Sequence, residues 1–134
     1  MSVRIVRLGG PRSDGEGLRI GTVRRPPRGV PKAQFASGNW YDVWLPELSP
    51  SAELVKQALA AQADGSPAGE RAWTRFVRAY RAEMSEPGPA HTLALLAAMS
   101  RDTNFSVGCY CEDESRCHRS ALRGLLQEAG ARLA

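Results

Sequence analysis

The chain has 134 residues, of which 43% are apolar and 24% are charged, with a formal net charge of +4. This length and composition suit a single soluble globular domain over residues 1–134. No apolar run approaches the ~20 residues of a membrane-spanning helix, and the amino terminus alternates charged with apolar residues, unlike a signal peptide. We therefore expect a cytoplasmic protein with no membrane partner.

The net charge and the cysteine content further limit the classes of protein that fit the sequence. Nearly all basic residues are arginine rather than lysine, a bias that more often reflects codon usage than a nucleic-acid surface. Three cysteines is an odd number. In a cytoplasmic protein, thiols are more often reduced, catalytic or metal-binding than joined in a disulfide framework.

Two short strands are predicted near the amino terminus. Val3 to Leu8 and Leu18 to Val23 read as strands, and the loop Gly9 to Gly15 between them is dense in turn residues. The next segment, Arg24 to Lys32, has four basic residues among three prolines, so it is extended rather than helical. It is either a solvated surface loop or, because it leaves the end of a strand, an anion-binding rim.

An aromatic segment follows. Trp40 to Leu45 is aromatic and β-branched, which predicts a strand or an extended segment packed on the core. Its aromatic residues, Trp44 among them, form either part of the core or the floor of a pocket. Asp42 lies in the same segment, and we expect an arginine to be its partner.

Three helices are predicted in the middle of the chain. The first runs from Pro50 to Ala63, with Ser49 as its N-cap. The second runs from Ala68 to Met84 and is ended by Pro87 to Pro89. The third, from Ala90 to Met99, is apolar nearly all round, so it should be well buried.

The stretch Val107 to Ser120 is the richest in chemistry, because it holds all three cysteines and one of the two histidines. A period-two pattern predicts a strand over Phe105 to Cys111. A polar turn follows, and a helix begins near Cys117 and stops at Gly130.

Helices before and after this strand predict an α/β fold, namely a single three-layer domain with a largely parallel central sheet and about four helices. The strand Phe105 to Cys111 should be central in the sheet. Its reactive groups would then lie at the carboxyl edge, where open α/β folds bind ligands.

Cys117 is the predicted nucleophile. A helix start and the neighbouring Arg116 and Arg119 should lower the pKa of its thiol, which would make it the most reactive of the three. His118 is the predicted acid–base residue. The predicted ligand-binding residues are Arg24, Arg28, Arg119, Cys111, Glu112 and Trp44.

Other roles for the cysteines stay open. Cys109, Cys111, Cys117 and His118 carry atoms that bind zinc, but Cys117 and His118 are adjacent and would have to reach in opposite directions. We therefore expect no metal and no other cofactor. A redox pair between Cys111 and Cys117 and a purely structural role are the remaining alternatives.

The segment Cys109 to Ser120 resembles a bacterial and archaeal family known as domain of unknown function 488. That family has a strand ending in cysteine, an acidic loop and a Cys-His-Arg motif, which correspond here to Cys109, Glu112 to Glu114 and Cys117 to Arg119. Further segments look like its YeaO-like branch: Glu16 to Ile20, Arg24, Pro27 to Gly29, Trp44 to Pro50, and Phe76 to Tyr80.

The chain departs from this pattern at three positions. Val23 stands where the branch has an acidic residue, Pro26 where it has a tryptophan, and Cys111 where the family has a glutamate. A thiol therefore occupies the place of an expected carboxylate. The resemblance implies a small α/β domain with a site at the sheet edge.

The leading functional prediction is a site for an anionic small molecule of the nucleotide type, with a reactive cysteine at the sheet edge. One alternative is a binding or interaction module that uses the same basic cleft without turnover. Another, less favoured, is nucleic-acid binding through the arginine-rich loop, which steep salt dependence would reveal. The sequence indicates neither a reaction nor an oligomeric state.

Overall fold

A computed structural model describes all residues, 1–134. Four strands form one sheet in the order β1–β4–β2–β3, and every neighbouring pair is parallel. The strands are β1 (Val3–Arg7), β2 (Leu18–Gly21), β3 (Val43–Trp44) and β4 (Phe105–Cys109). The predicted α/β fold is confirmed, and the cysteine-bearing strand is central as predicted, although it ends at Cys109 rather than at Cys111.

Four helices accompany the sheet, as predicted. They are α1 (Ala52–Ala63), α2 (Pro67–Met84) and α3 (Pro87–Met99), which lie between β3 and β4 in the chain, and α4 (His118–Glu128), which follows β4. Short 3-10 turns are found at Lys32–Gln34, Pro46–Leu48 and Glu114–Arg116. None of the helices is long and apolar enough to cross a membrane.

Two predicted helix boundaries are wrong. Ser51, not Ser49, is the N-cap of α1, and its hydroxyl accepts a hydrogen bond from Leu54 N at 3.4 Å. Ser49 instead donates to Pro46 O at 2.7 Å. The segment from Pro87 begins α3 rather than ending α2, because proline is tolerated in the first helical turn, where its missing N–H has no intrahelical partner.

The helices pack on one face of the sheet. Phe105 and Val107 of β4 belong to the same buried core as Phe76, Tyr80 and Leu122. Helices α1 and α3 add further members to this core: Leu54, Ala58, Leu93 and Leu96.

The third helix is only partly buried, contrary to expectation. Leu93, Leu96 and Ala97 face the core, but Leu95 is 60% exposed. Ala94 and Ala98 are exposed as well, so only one face of α3 is covered by neighbours.

Loops cover the opposite face of the sheet and form the third layer. Arg19 of β2 is buried there, and its guanidinium donates to the carboxylate of Glu16 and to the backbone oxygens of Gly10 and Asn39. Ser106 of β4 donates to the same carboxylate at 2.7 Å. One buried guanidinium therefore ties the loops that carry Gly10 and Asn39 to the sheet.

All four strands end at the same edge because the sheet is entirely parallel. The loops after β1, β2 and β4 begin there. Leu8 N donates to Cys109 O at 2.8 Å, and Thr22 N donates to Gly108 O at 3.0 Å. The three loop starts are thus held side by side, in the place where α/β sheets bind ligands.

Candidate functional site

The end of β4 divides the carboxyl edge into two regions. Cys109 and Cys111 point to one side, and their Sγ atoms are 3.9 Å apart. Tyr110, between them, points to the other side, where its ring meets that of Trp40 edge-on with centroids 6.0 Å apart. We refer to Cys109, Cys111, Cys117 and His118 as the cysteine cluster. We refer to the hollow beside Tyr110 as the arginine cleft, which is lined by Arg7, Leu8, Gly9, Gly10, Arg25, Pro26, Pro27, Arg28, Trp40 and Tyr110.

The cysteine cluster joins the end of β4 to the start of α4. Donor atoms of Cys109, Cys117 and His118 all lie within 4.8 Å of one another, and the three residues are buried. The Nδ1 atom of His118 is 3.8 Å from Cys117 Sγ. Cys111 is only half-buried, and Gln62 Nε2 donates to its sulfur at 3.5 Å. Cys111 therefore forms the more accessible side of the cluster.

Cys117 and His118 reach the same region although they are adjacent. The objection that adjacent residues would have to reach in opposite directions to share a metal does not hold, because their donor atoms lie within 4.8 Å of each other. Cys117 is the N-cap of α4 and has an extended backbone (φ −126°, ψ 153°), whereas His118 is the first helical residue. This change of backbone conformation between the two residues brings their side chains together.

A backbone carbonyl of the segment after β2 fixes the tautomer of His118. The Nε2 atom lies 2.8 Å from Thr22 O, which can only accept a hydrogen bond, so Nε2 carries the hydrogen. The lone pair of Nδ1 then faces the thiols. Burial lowers the pKa of His118 to about 4, so the imidazole is neutral at pH 7.

The three thiols shift one another's pKa values. Hydrogen bonds with Cys109 and Cys117 lower the pKa of Cys111, and the hydrogen bond with Cys111 raises the pKa of Cys109. At Cys117, the hydrogen bond with Cys109 lowers the pKa, but the hydrogen bond with Cys111 and burial outweigh it. The prediction of a lowered pKa at Cys117 is therefore wrong, because its sulfur is enclosed rather than open at the helix start.

Arg119 lies beside the cysteine cluster. It is 3% exposed, its Nη2 donates to Cys111 O, and its Nε has no hydrogen-bond partner. No carboxylate forms an ion pair with it. Arg119 is thus a buried cation without an ionic partner.

Arg24 and Arg28, two of the predicted ligand-binding arginines, have different surroundings. Arg28 lines the arginine cleft. Arg24 donates from Nε to Pro50 O at 3.1 Å and from Nη2 to Ser49 O at 3.3 Å. Its guanidinium therefore supports the segment that leads into α1.

The remaining two predicted ligand-binding residues lie outside both regions. Glu112 is exposed, and its carboxylate is 3.6 Å from Arg7 Nη2. Trp44 donates from Nε1 to Val23 O at 2.7 Å and lines a separate hollow with Phe35 and Tyr41.

The arginine cleft has a volume of about 550 Å³ and carries three guanidinium groups. Arg7 is the last residue of β1, and Arg25 and Arg28 come from the loop after β2. Neither Arg25 nor Arg28 forms an ion pair, and Arg7 has only the exposed Glu112 nearby. The cleft is therefore positively charged.

Aromatic rings form one wall of the cleft. Tyr110 donates from its hydroxyl to Arg25 O at 2.8 Å, and Arg7 Nε donates to Tyr110 O at 3.2 Å. Trp40 packs so closely on Gly9 that a Cβ atom there would lie 2.8 Å from its ring, and Gly9 has a φ of 90°. Glycine at position 9 is thus required for the tryptophan to approach.

The buried ion pair of Glu16 and Arg19 supports the cleft from beneath. Burial raises the pKa of Glu16, but hydrogen bonds from Arg19, Ser106 and Ser13 outweigh it and lower the pKa to about 2. Because Arg19 also donates to Gly10 O at 2.8 Å, the pair positions the loop that follows β1. This supporting ion pair is not apparent from the sequence.

The expected arginine partner of Asp42 is confirmed. Its carboxylate accepts hydrogen bonds from Arg12 Nη1 at 2.9 Å and Nη2 at 3.1 Å. The backbone N–H of Arg19 also donates to it, at 2.7 Å.

Sequence reasoning missed Arg7, Arg25, Trp40 and Tyr110 as members of one site. Two signals were available. Tyr110 alternates with two cysteines, so it had to face away from them. Arg7 ends a strand two residues before Gly9-Gly10, as a residue at a ligand-binding edge would.

Comparison with known proteins gives one match. A family model described as DUF488-N3a, the active DUF488-N3 subclade, matches residues 3–130. The match includes both the cysteine cluster and the arginine cleft. No curated protein and no solved structure matches the chain.

Proposed function

The chain belongs to the DUF488 family, and we propose that it binds an anionic small molecule of the nucleotide type in the arginine cleft. One observation supports this proposal above the others. Three arginines and two aromatic rings line a single hollow at the carboxyl edge of a parallel sheet. That edge is where open α/β folds bind their ligands.

The cleft arginines suit a phosphate group. A guanidinium presents a planar fork of N–H donors that matches two phosphate oxygens. Arg25 and Arg28 have no carboxylate to displace, and Arg7 has only the exposed Glu112 at 3.6 Å. Exposed ion pairs of that kind contribute about 0–1 kcal/mol, so an anion that binds Arg7 would displace only a weak interaction.

The aromatic wall suits a base. Trp40 and Tyr110 lie edge to face, and each can offer a ring face for stacking. A volume of about 550 Å³ lies within the ~300–1,000 Å³ of typical small-molecule sites. A mononucleotide therefore fits the cleft in size as well as in chemistry.

The proposal is one of binding and assigns no chemical step. Cys117 is 1% exposed, and neither it nor His118 lines the arginine cleft. Their role as catalytic residues stays a prediction from the sequence.

Binding can be measured by calorimetry and by intrinsic tryptophan fluorescence, to which Trp40 is one of three contributors. The probes are a purine nucleoside monophosphate, its nucleoside, inorganic pyrophosphate and a single-stranded oligonucleotide, each at two salt concentrations. We expect the monophosphate to bind more tightly than the nucleoside or pyrophosphate, because only it uses both the arginines and the rings.

Variants assign the binding to the cleft. Arg28→Ala should weaken monophosphate binding by about 10- to 100-fold, since hydrogen bonds to charged groups contribute about 1.5–3 kcal/mol. Trp40→Leu should weaken binding of the monophosphate but not of pyrophosphate. Arg75→Ala is the matched control, because Arg75 is exposed on α2 and forms no ion pair.

Two results would overturn the proposal. One is equal loss of monophosphate binding in the Arg28 and Arg75 variants, which would mean non-specific charge attraction. The other is tight, steeply salt-dependent binding of the oligonucleotide with no measurable binding of the monophosphate, which would favour a nucleic-acid surface.

A further inference from the structure

The cysteine cluster has a chemistry that the arginine cleft lacks. It places sulfur and imidazole donors together in a buried space, and none of its residues lines the cleft. We propose that Cys109, Cys111, Cys117 and His118 form a tetrahedral Cys3His site for a transition metal ion of the zinc type. This inference does not depend on the proposed binding of a nucleotide.

Two measured separations between donor atoms match such a site. With Zn–S bonds of about 2.3 Å and Zn–N bonds of about 2.0–2.1 Å, tetrahedral geometry separates two sulfurs by about 3.8 Å and a sulfur from a nitrogen by about 3.6 Å. Here Cys109 and Cys111 Sγ are 3.9 Å apart, and Cys117 Sγ is 3.8 Å from His118 Nδ1. Donors of Cys109, Cys117 and His118 all lie within 4.8 Å of one another, a group that does not include Cys111. Cys111 would complete the ligand set through its approach to Cys109.

The histidine is oriented as a metal ligand. A ligating imidazole usually donates its other N–H to a carboxylate, a backbone carbonyl or water, which fixes the ring and the tautomer. His118 Nε2 donates to Thr22 O at 2.8 Å, and Thr22 Oγ1 is 3.3 Å from the same nitrogen. This leaves Nδ1 free to face the sulfurs.

Arg119 provides the second, independent observation. The residue is 3% exposed, its guanidinium has an unpartnered Nε, and no carboxylate pairs with it. A buried charge without a partner is costly. Three thiolates and a divalent ion carry a net negative charge, which would balance this cation. The start of α4 would further stabilise the Cys117 thiolate.

The spacing of the ligands follows from the fold. Cys109 is the last residue of β4 and Cys111 follows it by two positions, while the start of α4 supplies Cys117 and His118. Their linear order therefore differs from the paired Cys-x-x-Cys spacing of common zinc sites. The match to a zinc site lies in the positions of the donor atoms in the folded chain.

The test begins with the metal content of the full-length protein, purified without a histidine tag and without chelator. We expect about one zinc per chain by elemental analysis. The apoprotein should then be titrated with Co²⁺ alone. Sulfur-to-cobalt charge-transfer bands and intense visible bands would indicate tetrahedral coordination by thiolates. The cobalt spectrum does not require any variant to fold.

Variants identify the ligands. Cys111→Ser changes a half-buried position and should fold, and it should weaken zinc binding by about 100-fold or more, since loss of even an outer partner of a ligand costs about 10- to 100-fold. Its cobalt spectrum should lose charge-transfer intensity. His91→Ala is the matched control, because His91 is the other histidine and is exposed on α3.

Three results would overturn the proposal. The first is a protein without metal whose apo form gives no thiolate–cobalt spectrum. The second is zinc affinity unchanged by Cys111→Ser. The third is a disulfide within the cluster in freshly isolated protein, which would favour a redox pair instead.

Discussion

The two sides of β4 use one stretch of backbone for opposite chemistries. Tyr110 faces a cleft of exposed arginines and aromatic rings, which suits a hard, large anion. Cys109 and Cys111, one residue before and after it, face a compact group of thiols and a neutral imidazole, which suits a small, soft cation. Strand alternation is the physical cause of this separation.

The two regions also differ in how they are held. The cysteine cluster joins two elements of regular structure, the end of β4 and the start of α4. The arginine cleft is made mostly of loops, and these depend on the buried pair of Glu16 and Arg19. Each region should therefore respond to a different perturbation.

Removal of a bound metal should have the largest effect on stability, and it should act on the cysteine cluster. A bound ion stabilises the folded state by about 5 kcal/mol when its free concentration is about 10⁴ times Kd. We expect a chelator to lower Tm strongly and added zinc to restore it, as measured by thermal unfolding. Anion binding in the cleft should survive at temperatures where the apoprotein is folded. Equal Tm values with and without chelator would contradict the metal site.

Breaking the buried ion pair should act on the cleft side. Glu16→Gln leaves the Arg19 charge without its partner in a site where the two side chains are 2% and 1% exposed. Loss of one partner of a buried pair costs about 3–5 kcal/mol, which urea unfolding would measure. In the folded variant, anion binding should weaken while the cobalt spectrum of the cysteine cluster is unchanged.

A matched control for this variant is Glu128→Gln. Glu128 pairs with Arg81 at 2.9 Å, but both side chains are well exposed. Its loss should cost at most about 1 kcal/mol. If the two glutamate variants unfold at the same urea concentration, the support attributed to Glu16 is wrong.

Low pH should destabilise the loops of the arginine cleft, because it protonates Glu16. Glu16 has a pKa of about 2 in the folded state against an ordinary value of 4.5, which corresponds to about 3 kcal/mol. Because the pKa of Glu16 is lower in the folded state, this contribution to stability is fully present above the ordinary pKa of 4.5. It is lost as the pH falls from there toward about 2. The difference in unfolding free energy between wild type and Glu16→Gln should shrink over that range. A difference that does not change with pH would contradict this account.

Thiol labelling should show the smallest effect, and it should distinguish the three cysteines of the cysteine cluster. In reduced, metal-free protein, Cys111 should react first, because Cys109 and Cys117 are 7% and 1% exposed and need local opening. We expect a rate ratio on the order of ten-fold or more, by peptide mapping. Zinc should slow all three. Faster labelling of Cys117 than of Cys111 would contradict the enclosed position of its sulfur.

Much of the fold was predictable because its signals are local. The period-two pattern of Phe105 to Cys111 and the turn residues of Gly9 to Gly15 do not depend on distant contacts. Helix ends were less predictable. A serine before a proline reads as an N-cap, yet Ser49 bonds to Pro46 and the cap is Ser51. Which of two neighbouring serines caps a helix is decided by how the preceding turn packs.

The candidate site was predictable only in part. By itself the sequence determined that Cys109, Cys111, Cys117 and His118 lie near one sheet edge, because a strand and a helix flank them. Tertiary structure decided that the backbone turns between Cys117 and His118, that Arg24 supports the segment before α1 while Arg28 faces the cleft, and that Trp40 reaches Tyr110. These outcomes depend on loop paths and on contacts between residues far apart in the chain, which no local pattern encodes.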